Sequence, residues 1–242
     1  MQNASLGKKL KLLCLHGYTQ NAETFSSRIG SLRKALKSRC DFVFVDAPFP
    51  STGLPGSDDA DEAQGLASGG RSWWQWADVG SSARPSLAEE YKGWPDALSE
   101  LVAAIRQHQP DGVLGFSQGA TAAALLLADL QQPPSLELLQ GVTPPGFTIC
   151  IAGFVPRDAE YAARLSRRPV AVPCLMVYGE ADQLVPEERC RALAACFQPD
   201  LVRVYGHPGA HMVPSCSGAF KQALLSFLDE RHAEVAAKRG QS

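Results

Sequence analysis

A serine hydroxyl attacks a carbonyl only when a base stands beside it and its oxygen is held clear of the chain. Ser117 lies in Gly115-Phe116-Ser117-Gln118-Gly119, with glycine at minus two and plus two. Asp111-Gly112-Val113-Leu114 reads as a short buried strand before it, and Ala120 to Leu130 as an Ala/Leu-rich helix after it. Strand, sharp turn and helix with this glycine spacing form a nucleophile-elbow pattern. The glycines answer a steric need, because the serine takes a strained backbone conformation and a flanking side chain would strike the adjoining strand or helix. The helix that follows points its positive end at any oxyanion formed there. The alternative is a Gly-Ser turn with no chemistry, so the rest of the chain must supply a base, an acid and a second oxyanion donor.

Two histidines compete for the base. His207 precedes Pro208 directly, which holds it extended near a strand end, whereas His211 follows the flexible Gly209-Ala210 step and can swing over the elbow. His211 is the preferred base. For the acid, Asp182 lies three positions past the turn glycine Gly179, while Glu180 follows that glycine directly and should point elsewhere. The bland reading of Asp182 is a turn former or cap ahead of the next helix. As the acid, it would bind the far nitrogen of the histidine and stabilise the imidazolium. The oxyanion would sit between the N–H groups of Gln118 and Tyr18, the latter turned inward by Gly17 in His16-Gly17-Tyr18-Thr19-Gln20-Asn21. His16 is expected to pack under that loop and brace it rather than act as a base.

These residues need elements to position them. Leu10–Leu15, Phe42–Val45, Asp111–Leu114, Phe147–Gly153, Cys174–Tyr178 and Leu201–Tyr205 are apolar, strand-length runs. Several are apolar almost throughout, as strands covered on both faces should be. Helical periodicity covers Ser26 to Lys37, Tyr91 to Gln107, Glu187 to Phe197 and about Gly218 to Ala233. Alternating strands and helices predict an α/β fold, a mainly parallel sheet of about six strands with helices on both faces. The active site of such a sheet lies at the carboxyl ends of its strands, where the elbow and the His16, Asp182 and His211 loops all fall. The chain order serine, acid, histidine is the one expected of the α/β-hydrolase fold.

Residues 49–76 stand apart. The stretch to Gly70 is rich in Gly, Ser, Asp and Ala and too long for an ordinary connection, so it reads as a mobile cover or a disordered insertion. Trp73, Trp74 and Trp76 close it, and three tryptophans in four positions cannot share one buried face. Core packing and the lining of an acyl pocket by Trp73 and Trp74 are equally open readings. Residues 234–242 read as a polar, frayed tail.

Bulk properties narrow the partners. A chain of 242 residues fits one domain more easily than two. A net charge of −2 without a basic block gives no sign of nucleic acid. No apolar run is long enough for membrane insertion, and Met1 to Lys11 lacks the apolar region of a signal peptide. The seven cysteines include no CxxC pair and no zinc spacing, so reduced thiols in a cytoplasmic setting are expected. The expected partner is a small-molecule acyl ester or thioester, with no metal or organic cofactor; the sequence carries no signal of oligomeric state.

Together these residues resemble the FSH serine hydrolases, small α/β-hydrolases of fungi, animals and plants. The likeness is carried by Leu15–Asn21, Gly30–Lys34, Phe44–Pro48, Trp73-Trp74, Gly115–Gly119, Gly179–Asp182 with Val185-Pro186, and His207–His211 with Pro214. It spans Leu12 to about Phe227. The resemblance implies a carboxylesterase or, as in some fungal relatives, an acyl thioesterase, with Ser117, Asp182 and His211 as the triad. A non-catalytic ligand-binding protein of the same fold is the alternative of a different class. One departure is Ala210, where the family pattern has glycine before the histidine.

Overall fold

The computed structural model describes residues 8–52, 69–77, 88–131 and 137–239. Six strands form one sheet: β1 (Leu10–Leu15), β2 (Cys40–Val45), β7 (Gly112–Phe116), β8 (Thr148–Ile151), β9 (Cys174–Gly179) and β10 (Val202–His207). Their order is β10-β9-β8-β7-β1-β2 and every neighbouring pair is parallel. The chain leaves β1 for β2 on one side and returns to β7 on the other. The carboxyl ends of β1 and β7 therefore flank the topological switch point, where a crevice opens in sheets of this kind.

Each strand serves two cores, because successive side chains alternate between the faces of the sheet. Leu13 and Leu15 of β1, Val113 of β7 and Met176 of β9 join one apolar cluster. Leu12 and Cys14, Leu114 and Phe116, and Leu175 and Val177 join the other. Helices α3 (Trp94–His108) and α4 (Gln118–Gln131) cover the first face; α1 (Ala22–Arg28), α2 (Gly30–Leu36) and α7 (Gly218–Arg239) cover the second. The helices α5 (Ala159–Ser166) and α6 (Glu187–Ala194) complete the first face. All seven cysteines are free thiols. Among the described residues, no helix is long and apolar enough to cross a membrane.

Several element boundaries shift by a few residues from the expectations, and three differences are larger. The expected helix from Ser26 to Lys37 is two helices. The first starts earlier, at Ala22, where the Asn21 side chain accepts the Thr24 N–H at 2.8 Å and caps it. It ends at Ile29, and Gly30 opens the second. Tyr91 belongs to a two-residue strand β6 (Tyr91–Lys92) rather than to α3, because Gly93 at φ 91° breaks any helix there. The expected frayed tail is helical through Arg239, whose guanidinium pairs with Asp111 at 2.7 Å. Two further short pairings, β3 (Phe49–Pro50) with β4 (Arg71–Ser72) and β5 (Gln75–Trp76) with β6, hold the ends of the 49–76 stretch. Most of the expected cover, residues 53–68, lies outside the described residues.

Candidate active site

Ser117 follows β7 directly, with φ at 52°, a left-handed value costly for a residue with a side chain. Both glycines are required by contact. A Cβ on Gly115 would stand 2.6 Å from Ala120 Cα, and one on Gly119 would overlap the carbonyl oxygens of Leu15 and His16. The serine is held by its own N–H, which donates to Ile151 O at 2.8 Å, and by its carbonyl, which accepts from Ala120 and Thr121 as α4 begins. Its hydroxyl is left at the end of the sheet.

The loops after β9 and β10 are laced by backbone hydrogen bonds. Glu180 N–H donates to His207 O at 2.7 Å and Ala181 N–H to Gly209 O at 3.1 Å. A Cβ on Gly179 would overlap the Gly209 and Ala210 carbonyls, so the absence of a side chain at 179 lets the histidine loop settle on the acid loop. Ala210, which departs from the family's glycine, is not among the residues with positive φ and needs no glycine there.

That lacing brings three side chains into line. His211 Nδ1–H donates to Asp182 Oδ2 at 2.7 Å, and Ser117 Oγ stands 2.9 Å from His211 Nε2. A carboxylate can only accept, so the proton lies on Nδ1 and the Nε2 lone pair faces the serine hydroxyl. The second Asp182 oxygen accepts the N–H groups of Leu184 at 2.9 Å and Val185 at 2.8 Å. Burial pushes the Asp182 carboxyl up. The His211 hydrogen bond and charge, with the Val185 and Leu184 amides, outweigh it and hold the carboxyl below the usual aspartate range. Phe116 packs beneath the His211 ring, with centroids 5.0 Å apart.

The rival histidines are occupied elsewhere. His207 is buried and its Nδ1 accepts the Gly209 N–H at 3.1 Å. Burial lowers its pKa. His16 is wholly buried; its Nε2 accepts the Ala47 N–H at 3.0 Å, so Nδ1–H donates to Gly17 O at 2.7 Å. It is a neutral strut between the loops after β1 and β2, and burial takes its pKa down to about 4.

Gln118 opens α4, so its N–H has no acceptor within its own helix. Its side chain does something the sequence did not suggest. Gln118 Oε1 accepts the Trp73 N–H at 3.0 Å, and Nε2 donates to Ser72 Oγ at 3.0 Å. The elbow is thereby bolted to the tryptophan segment. The two tryptophans then part. Trp73 is fully buried, its indole N–H donating to His16 O at 2.9 Å, and it is a structural residue outside the cleft beside Ser117. Trp74 lines that cleft with Tyr18, Ser117 and Gln118.

The serine hydrolase (FSH1) family pattern matches residues 3–223 of the sequence. The chain belongs to that family. It is 34% identical to the human protein named esterase OVCA2 over 232 residues, 92% of this chain and 97% of the relative. It is 35% identical over 228 residues to esterase AAEL000016 of Aedes aegypti, 92% of this chain and 76% of that one. Its fold is similar to those of esterase PE8 (TM-score 0.62, 19% identity, 95% and 96% of the two chains) and Zea mays acyl-protein thioesterase 2 (TM-score 0.58, 18% identity, 93% and 94%). The protein is therefore a hydrolase of the serine type.

Several cleft residues of this serine hydrolase escaped the sequence reading. Tyr91, Phe154, Leu184, Val185 and Arg189 also line it, together with Trp76, the third residue of the tryptophan cluster. Tyr91 stacks on Trp74 at 5.3 Å and 10°, and Trp76 meets Tyr18 edge-on at 4.5 Å. Val185 and Arg189 had a signal, since they follow the acid loop into the first turn of α6. Tyr91 and Phe154 had none, because only tertiary packing brings them to the elbow. Among the described residues, no cluster of three or more His, Cys, Asp or Glu side chains could hold a metal ion.

Proposed function

We propose that the protein is a carboxylic ester hydrolase working through an acyl-Ser117 intermediate. The observation that carries this reading is the His211 ring spanning Asp182 and Ser117 at 2.7 and 2.9 Å. His211 Nε2 takes the hydroxyl proton as Ser117 Oγ attacks the acyl carbonyl, and Asp182 stabilises the imidazolium. The oxyanion is held by the N–H groups of Gln118 and Tyr18 and by the positive end of α4. Collapse breaks the ester bond, and the imidazolium gives its proton to the leaving alkoxide, which departs as the alcohol. Water, deprotonated by His211, then attacks the acyl-serine and releases the carboxylic acid, with the proton returned to Ser117. One water is consumed, and the enzyme ends as it began.

The apolar and aromatic walls of the cleft suit an acyl chain. A thioester fits the same machinery, its thiol leaving in place of the alcohol. The test is a ranking of kcat/KM for matched esters and thioesters on wild type and Ser117→Ala. The proposal expects ester turnover that the variant loses by roughly 10⁴-fold, and near-full activity in the variant overturns it.

A further inference from the structure

Most of the cleft wall is aromatic or aliphatic, and among the described residues lining it Arg189 is the one that carries a full charge. Several other arginines of this protein are paired with carboxylates. Arg164 pairs with Asp129 and Glu160, Arg231 with Glu230 and Glu234, Arg191 with Glu187 and Arg239 with Asp111. Arg189 has no carboxylate within ion-pair distance among the described residues. Its guanidinium lies 4.6 Å over the Phe154 ring and makes one long hydrogen bond, 3.3 Å, to Leu184 O. Its electrostatic neighbours do not cancel it. Arg157 is of like charge. Asp182 is committed to His211, Leu184 and Val185, and Asp158 accepts the N–H groups of Tyr91, Glu160 and Tyr161.

A second lining residue also carries an unsatisfied donor. Trp74 is 1% exposed, and its indole N–H is buried with no hydrogen-bond partner. A buried donor left unmade is costly, and so is a half-buried cation without a counter-ion.

We infer that the cleft selects acyl groups bearing a second carboxylate, as in the monoester of a dicarboxylic acid, and that Arg189 recognises it. This rests on the esterase reading above. The guanidinium offers a charge-assisted, fork-shaped donor set matched to a carboxylate, while the aromatic walls hold the methylenes between the two carbonyls. Burial and Arg157 draw the Arg189 pKa down from the ordinary arginine range, and a bound carboxylate offsets both effects. The competing role for Arg189 is to cover Phe154 as part of the wall, in which case a carboxylate on the substrate brings no advantage.

The test compares mono-p-nitrophenyl adipate with p-nitrophenyl hexanoate, esters of equal chain length differing in the terminal carboxylate. Wild type is expected to favour the adipate in kcat/KM. Arg189→Gln should lower the adipate-to-hexanoate ratio by roughly 10- to 100-fold, with Arg189→Lys between the two. An unchanged ratio in Arg189→Gln, or a wild type that prefers hexanoate, overturns the inference. Hexanoate turnover that Ser117→Ala abolishes shows the esterase reading standing whatever the ratio does. Calorimetry of monomethyl adipate and methyl hexanoate binding to Ser117→Ala reads the same selectivity without turnover. Tighter adipate binding that Ser117→Ala/Arg189→Gln loses supports the inference, and equal affinities overturn it.

Discussion

Gly119 packs so closely on the end of β1 that a Cβ there would overlap the Leu15 carbonyl oxygen. The second glycine of the elbow thus fixes how near α4 comes to the loop carrying Tyr18. Gly119→Ala should push helix and strand apart, and backbone atoms on both sides leave little room to yield. Overpacking of this kind costs up to about 3 kcal/mol or more. Thermal unfolding of Gly119→Ala is expected to show a large drop in Tm or loss of the folded protein, whereas a Tm within a degree or two of wild type would show that the contact relaxes freely.

In the proposed mechanism Asp182 and His211 act through orientation as well as charge. Asp182→Asn keeps the shape but can present a donor to His211 Nδ1, which favours the tautomer with its proton facing Ser117. A loss in kcat of roughly 10⁴-fold is expected, and His211→Ala should lose a similar amount. His207→Ala should lower Tm far more than kcat, since His207 is buried and bonded to Gly209. Side-by-side kinetics and melting of the two histidine variants check this. A His207→Ala enzyme as inactive as His211→Ala would contradict it.

Gln118 has two parts with separate effects. Its backbone N–H survives Gln118→Ala, while the side chain's bonds to Trp73 N and Ser72 Oγ are lost. Leaving those buried groups unpaired costs roughly 1–3 kcal/mol. Melting should register the loss directly. KM should rise more than kcat falls, because the bolt holds Trp74 in the cleft wall.

His16 supplies a pH signature. Its pKa falls from the usual 6.5 to about 4 on burial, so the unfolded chain binds this proton more readily than the folded one. Stability from this group is intact above about pH 6.5 and is lost as pH falls towards 4. At ~1.4 kcal/mol per pKa unit, the loss by pH 4 is roughly 3 kcal/mol. His207 is lowered for the same reason and adds in the same direction. Denaturant titrations between pH 7 and 4 should steepen accordingly, and the slope should flatten in His16→Gln when each is referred to its own value at pH 7.

The elbow turn, the six strands and the brace at His16 could all be read from the chain, because each is written locally. Glycine spacing encodes the elbow, and near-continuous apolar runs encode a doubly covered sheet. The misreadings were local as well. Asn21 followed by Glu23 is a cap signal that places a helix start at Ala22, and Gly93 marks a break before Trp94. What sequence could not carry was the division of labour between Trp73 and Trp74. Adjacent residues in an extended segment face opposite ways, and only the Gln118 bolt and the His16 carbonyl decide which tryptophan goes to the core. The position of Arg189 just past the acid loop was legible, but its lack of a carboxylate partner was not, since that depends on tertiary surroundings.

The central claim is that the hydroxyl at 117 is a nucleophile made so by the imidazole at 211. Mass spectrometry after treatment with a fluorophosphonate at neutral pH tests it most directly. One adduct on the peptide containing Ser117 is expected, formed rapidly by wild type and far more slowly by His211→Ala and Asp182→Asn. Folded wild-type protein that stays unlabelled, or that labels equally fast without His211, would contradict the claim.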